Sequence, residues 1–194
     1  RGLGDVYKRQ GFDTLNKIKA YAALAQASKK TANKLFITEV NWPLIGMKNW
    51  APAEDYLIDE SQQSSYLVRY YLLMLATGMV KKCFWHQLVA PGYGLVNNLD
   101  EKIIKRDAYY CFQNLIAMLS GGTTKKMIRK KNFFCLVVEK EEMLIEAIWS
   151  SEGSANFKSN PKQKIVDIRG KVIDTKKSPI IKISGEVILS LIHI

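Results

Sequence analysis

The chain has 194 residues, 29 of them Lys or Arg and 18 Asp or Glu, for a formal net charge of +11, and 47% of its residues are hydrophobic. That apolar share belongs to a chain with a packed core, and no run approaches the ~18 consecutive apolar residues of a membrane span. Cys83, Cys111 and Cys135 are odd in number and lack metal-ligand spacing, which excludes a disulfide framework and a zinc site and leaves three buried thiols as the expectation. No metal and no cofactor is expected.

Taken in chain order, the first stretch looks foreign. Asp5-Val6-Tyr7-Lys8-Arg9-Gln10 can be encoded by GATGTGTATAAGAGACAG, and the reverse complement of that string translates as Leu-Ser-Leu-Ile-His-Ile, the sequence of residues 189–194. One inverted repeat at both ends resembles a transposase tag from sequencing adapters. Residues 1–10 and 189–194 therefore read as adapter-derived and are set aside from fold reasoning. The segment between them remains basic. It holds His86 but not His193, so no histidine cluster is available to it.

Leu15, Ile18, Ala22 and Ala25 recur at helical spacing behind Asp13 or Thr14, which predicts an amphipathic helix over 14–29. Leu35-Phe36-Ile37-Thr38-Glu39-Val40 is too short for a helix, is halted by Pro43, and fits a buried parallel strand with Glu39 at its C-terminal end. The loop from Asn41 to Asp59, with Trp42, Pro43, Gly46, Trp50 and Pro52, is long enough to suggest function. Asp59-Glu60-Ser61-Gln62 has the form of a capping box and opens a helix whose stripe is Leu67, Tyr70, Tyr71, Met74 and Leu75, ending near Gly78. Val80 to Val89 reads as the next strand, followed by the turn Pro91-Gly92-Tyr93-Gly94. Asp107 opens a further helix, closed by Gly121-Gly122, with stripes of Ala108, Cys111, Leu115 and Met118 and of Phe112, Ile116 and Leu119. Helix, strand, helix, strand, helix is a parallel α/β pattern.

Beyond Thr124 the period shortens. Lys125 to Arg129, Asn132 to Glu139, Glu142 to Trp149, Gln163 to Ile168 and Pro179 to Ile183 are short β-prone runs, parted by turn signals at Lys130-Lys131, Gly153, Asn160-Pro161, Arg169-Gly170 and Lys177-Ser178. The expected organisation is an α/β domain over 11–122 and a small all-β sandwich over 123–188. Scattered lysines in the second region fit solvated strand edges that resist further pairing.

The quoted motifs resemble those of a known class. Leu35 to Pro43 looks like the seventh-strand nucleophile motif of (β/α)8 retaining glycoside hydrolases, similar to families 39 and 5. Tyr66-Leu67-Val68-Arg69-Tyr70-Tyr71 resembles the helix that follows, and Phe84-Trp85-His86-Gln87-Leu88 resembles strand eight with its sugar-platform tryptophan. Arg106-Asp107-Ala108-Tyr109-Tyr110 is similar to the Arg-Pro-Ala-Tyr that opens helix eight, with Asp107 in place of proline. The resemblance implies the C-terminal part of a TIM barrel, from helix six to helix eight, followed by an accessory β-sandwich. Such a barrel needs ~250 residues, so under half of one is present. It also implies Glu39 as nucleophile, with Trp85, His86, Gln87, Asn41, Trp42 and Tyr93 contacting an oligo- or polysaccharide, and an acid/base carboxyl upstream of Gly11.

Three other readings stay open, one of them a different barrel enzyme in which Glu39 binds metal or acts as a base, against which the scarcity of His and Asp at the strand ends argues. The basic charge suits a module that binds nucleic acid or an anionic surface, although the basic residues form no helical stripe with interleaved aromatics and no nucleic-acid motif is present, so no nucleic-acid partner is expected. A barrel that binds sugar without cleaving it is the third.

Overall fold

The computed structural model describes residues 12–28, 35–47, 57–176 and 178–193. Residues 1–10, Lys29, Trp50, Pro52 and Ile194 lie outside the described residues. The chain divides into two compact units, the first ending at Phe112 and the second starting at Gln113.

In the first unit, α1 (Phe12–Ala27), β1 (Leu35–Val40), α2 (Glu60–Thr77) and β2 (Val80–Trp85) alternate, and β1 and β2 pair in parallel. β1 covers the expected run, and α2 lies between the two strands as a crossover helix, the connection that parallel neighbours require. α1 buries Leu15, Ile18 and Ala22, the expected stripe. The capping box at the start of α2 is complete: the Gln62 N–H donates to Asp59 Oδ1 at 2.7 Å, and the Asp59 N–H donates to Gln62 Oε1 at 3.1 Å. At the other end Gly78 takes the left-handed conformation, φ 63°, where a side chain would be strained. Asp59→Ala is expected to cost about 1 kcal/mol, measurable as faster hydrogen exchange of the first-turn amides of α2 with later turns less affected.

α2 is buried over a wider arc than its expected stripe. Val68, Leu72 and Leu73 are fully buried beside Leu67, whereas Leu75 is 44% exposed. β2 ends at Trp85 and not at Val89, because the next residues bond locally: the Ala90 N–H donates to Val96 O and the Val96 N–H to Leu88 O. A short hairpin of β3 (Val96–Asn97) and β4 (Ile104–Lys105), absent from the sequence expectation, follows before α3 (Asp107–Leu119). The unit boundary falls inside α3, earlier than the expected 122/123. The second half of this helix bonds into the β unit, with Asn114 Nδ2 donating to Ile168 O at 2.9 Å and Lys140 Nζ to Ala117 O at 2.9 Å.

The second unit is a five-stranded antiparallel sheet in the order β5-β6-β7-β11-β9, with a two-stranded sheet of β8 and β10. β5 (Thr123–Lys130), β6 (Phe133–Lys140), β7 (Met143–Ser150), β9 (Lys164–Asp167) and β10 (Ile180–Ile183) match expected runs; β8 (Ala155–Lys158) and β11 (Ile188–His193) do not. Cys135, Val137, Ile148, Ile165 and Ile188 from the larger sheet meet Ile183, Ala155 and Phe157 from the smaller one, which is a sandwich core. β11 contains five of the six residues read as adapter-derived at the C-terminal end, and it pairs with both β7 and β9. Within it, Ser190 is fully buried and its hydroxyl has no hydrogen-bond partner among the described residues.

Cys111 and Cys135 are buried and Cys83 is half-buried. Burial pushes the Cys135 thiol up to about 12, helped by the Glu146 carboxylate and opposed by Lys126. It pushes Cys83 up to about 11, partly opposed by a hydrogen bond with Tyr71. Neither is ionised near neutral pH.

Candidate functional site

The C-terminal ends of β1 and β2 lie side by side, and a slip in their register decides where Glu39 points. Ile37 pairs with Cys83 and Val40 with Trp85, so β1 carries one more residue than β2 between those two pairs. A bulge of this kind breaks the inward-outward alternation and re-aims a side chain. The consequence is visible in the burial: Thr38 and Glu39 are both exposed in succession, and the alternation resumes at Val40. Without the extra residue Glu39 would face the helices.

Glu39 has a side chain 64% exposed, and its Oε1 lies 3.9 Å from His86 Nε2. The His86 ring stacks on Tyr93, with centroids 5.5 Å apart and planes 23° from parallel. Asn41 Nδ2 donates to His86 O, which links the residues just past the two strands. Gln87, joined to His86 by a cis peptide, is exposed. Glu39, His86, Asn41 and Tyr93 therefore form one group.

The two tryptophans sit differently. Trp42 is 4% exposed and packs edge-on against Tyr66 at 5.6 Å and Tyr70 at 5.8 Å. Trp85 lies 5.9 Å from Trp42, tilted by 39°. Both indole N–H groups are buried with no hydrogen-bond partner among the described residues. Together with Leu44 and Ile58 these rings form a small core beneath the strand ends. Edge-on aromatic contacts each add about 0.5–1.5 kcal/mol to the area they bury, so this core is a firm floor. Successive strand residues face opposite ways, and accordingly Trp85 joins the floor while His86 turns toward Glu39.

A cleft of about 820 Å³ runs alongside β1, lined by residues 35–42 together with Thr14, Lys17, Ile18 and Tyr21 of α1 and Tyr70 of α2. Glu39 and Asn41 are on its wall. The cleft is within the range of small-molecule sites.

Two polar residues near this site, Arg106 and Gln63, were given no role by the sequence. Arg106 has a side chain only 1% exposed, and its Nε donates to Glu60 Oε1 at 2.8 Å. Its Nη1 donates to Ala90 O and Gly94 O, and its Nη2 to Pro91 O, so one guanidinium holds the turn that bears Tyr93. Gln63 is fully buried and its amide donates to Tyr93 O at 3.2 Å and, at the longer distance of 3.5 Å, to Trp42 O. A signal for Gln63 was available, because it continues the stripe of Leu67, Tyr70 and Met74 at helical spacing. Arg106 stood in the quoted motif without a role.

The fold of this chain resembles that of part of two solved glycoside hydrolases. A family 39 glycoside hydrolase from the gut symbiont Bacteroides cellulosilyticus WH2 aligns with 90% of this chain at TM-score 0.67 and 16% identity. A GH30 endoxylanase from Clostridium papyrosolvens C71 aligns with 93% of it at TM-score 0.58 and 8% identity. The chain spans 38% of the length of the first and 46% of the second. No protein-family model and no curated protein sequence matches it. The likeness is one of fold.

Proposed function

We propose that the chain is the C-terminal part of a retaining glycoside hydrolase, from helix six to helix eight of a (β/α)8 barrel, with Glu39 as the nucleophile. The observation that carries this is the bulge that turns Glu39 outward at the end of β1, beside His86 at the end of β2. Barrel enzymes place their chemistry at the C-terminal ends of parallel strands. Phe36, 47% exposed, and Phe84, 51% exposed, are apolar surface on a two-stranded sheet, which suits a sheet extended by further strands.

In this reading the Glu39 carboxylate attacks the anomeric carbon as the bond to the leaving oxygen breaks, through an oxocarbenium-like transition state. A second carboxyl ~5–5.5 Å away protonates the leaving oxygen and later takes a proton from the water that hydrolyses the glycosyl-enzyme. Glu39 stays accessible, as a nucleophile must. His86 and Asn41 offer hydrogen bonds to sugar hydroxyls, Gln87 adds a third donor, and Tyr93 gives a ring wall. Trp42 and Trp85 act from beneath, as the packed floor under the strand ends that carry Glu39 and His86. Residues 1–10 and 189–194 are proposed to be adapter-derived and outside the natural chain. The substrate is an oligo- or polysaccharide, and among the described residues no helix is long and apolar enough to cross a membrane.

A dinitrophenyl 2-deoxy-2-fluoro-β-glycoside tests the assignment, since its leaving group needs no proton and its fluorine slows breakdown of the glycosyl-enzyme. Mass spectrometry of a protease digest is expected to find one fluorosugar on the peptide containing Glu39, and none in the Glu39→Gln chain. Labelling elsewhere, or in both chains alike, would sink the assignment.

A further inference from the structure

Two buried polar side chains, Arg106 and Gln63, touch neither the cleft nor Glu39, yet both end on the same short turn. The turn is tight: a Cβ on Gly94 would meet Ala90 N at 2.3 Å and Ala90 O at 2.8 Å, so the chain folds back on itself there with no room for a side chain. Three of its carbonyls, from Ala90, Pro91 and Gly94, converge on the Arg106 guanidinium. Lysine cannot reproduce that contact, because a planar fork with fixed donor directions meets several acceptors at once whereas an ammonium is a compact point charge. Glu60 Oε1 at 2.8 Å from Nε fixes the fork to the first turn of α2.

Three residues along that turn of helix, Gln63 reaches the same turn from below. Its amide donates to Tyr93 O, while its own Oε1 is buried without a partner among the described residues. Burying that amide with one acceptor unpaired is not what packing alone would select. What Gln63 provides that an apolar residue cannot is a directional tie between Tyr93 and, through Trp42 O, the loop that follows β1. The backbone adds a second tie, with the Leu44 N–H donating to Gly92 O at 2.8 Å.

We propose that Arg106 and Gln63 are positioning residues that set the Tyr93 ring against His86, and through His86 fix the side of the site facing Glu39. The chain of contacts is continuous: Glu60 to Arg106, Arg106 to the 90–94 turn, Tyr93 stacked on His86 at 5.5 Å, and His86 3.9 Å from Glu39. The inhibitor part of the test rests on the glycosidase reading; the part that reads ring geometry does not.

Arg106→Lys keeps a cation for Glu60 and loses the fork. Gln63→Met keeps length and burial and loses the N–H donors. In the full chain, a nuclear Overhauser effect between the Tyr93 and His86 rings is expected in the unaltered protein and is expected to be lost in both variants. Gln63→Met is expected to keep its thermal midpoint, and so serves if Arg106→Lys does not fold. With dinitrophenyl 2-deoxy-2-fluoro-β-xyloside as probe, both variants are expected to need on the order of tenfold more probe for half-maximal labelling of Glu39, with a smaller change in the limiting rate. A lower midpoint with the ring contact and the labelling constants intact would make the pair purely structural and overturn the proposal. So would the absence of the ring contact in the unaltered chain. If the unaltered chain takes no label but the variants lose the ring contact, the positioning role stands and the glycosidase reading falls.

Discussion

If Glu39 is the nucleophile, the chain by itself is expected to lack normal glycosidase turnover: activated aryl glycosides are expected to pass only the first step, which needs no acid, and alkyl glycosides of the same sugar are expected to react more slowly still by a factor of about 10²–10⁴, the contribution of a positioned general acid. The expectation follows from where the two carboxylates at the start of α2 are committed. Asp59 caps α2 through Oδ1, and Glu60 is held by Arg106 at 2.8 Å. Both belong to the start of the helix that follows β1, and a barrel brings its acid/base carboxyl from a different strand. A nucleophile alone can displace dinitrophenolate, whose oxygen leaves without a proton. It cannot expel an alkoxide at a useful rate. Release of dinitrophenolate against release of methanol, followed with the Glu39→Gln chain as blank, measures the gap. Equal acceleration of both substrates would mean that the chain carries an acid of its own, and the half-site description would be wrong.

How far the sequence led depended on whether the deciding interaction was local. The capping box at Asp59 and Gln62, the glycine stop at Gly78 and the strand Leu35–Val40 were legible because each is determined within a few residues of chain. β2 was drawn too long for the opposite reason. Val89 and Ala90 are as β-prone as what precedes them, but the backbone hydrogen bonds of Leu88 and Ala90 go to Val96 in the short β3 and not to β1. β11 shows a further limit. Leu189, Ser190 and Leu191 pair on both sides and fill the place between β7 and β9, whatever DNA encoded them. The origin of a codon and the conformational preference of its residue are separate matters.

For the candidate site, the sequence pointed to residues that the fold brings near one another but not to their geometry. Glu39, Asn41, His86 and Tyr93 come together as the placement of loops beyond parallel strands suggests. No pattern in the sequence announced the bulge between Ile37 and Val40, since one extra residue in a ladder appears only when the partner strand is known. Trp42, expected to contact a saccharide, lies in the floor, where Tyr66 and Tyr70, one turn apart on α2, present a slot for it. Helical spacing told which residues of α2 share a face but not what meets that face.

Trp149→Ala is expected to have the largest effect on the second unit, a loss of about 3–5 kcal/mol. Trp149 is fully buried on β7, directly across from Phe134 on β6, and the two rings stack with centroids 5.3 Å apart and planes 14° from parallel. Removing the indole takes away that pair and leaves a cavity between strands whose neighbours Leu136, Ala147 and Ile148 are themselves fully buried and have no slack to close it. Trp149→Phe separates the two terms. It keeps a ring against Phe134 and removes an indole N–H that is buried with no partner among the described residues, so it is expected to lose only on the order of 1–2 kcal/mol. Because the chain has two units, a single global unfolding curve would mix them. Hydrogen exchange at the Leu136 and Ala147 amides reads the sheet itself. Protection there is expected to fall steeply in Trp149→Ala and modestly in Trp149→Phe. Equal losses in both would place the effect in the part of the indole that phenylalanine does not replace and not in the ring pair with Phe134.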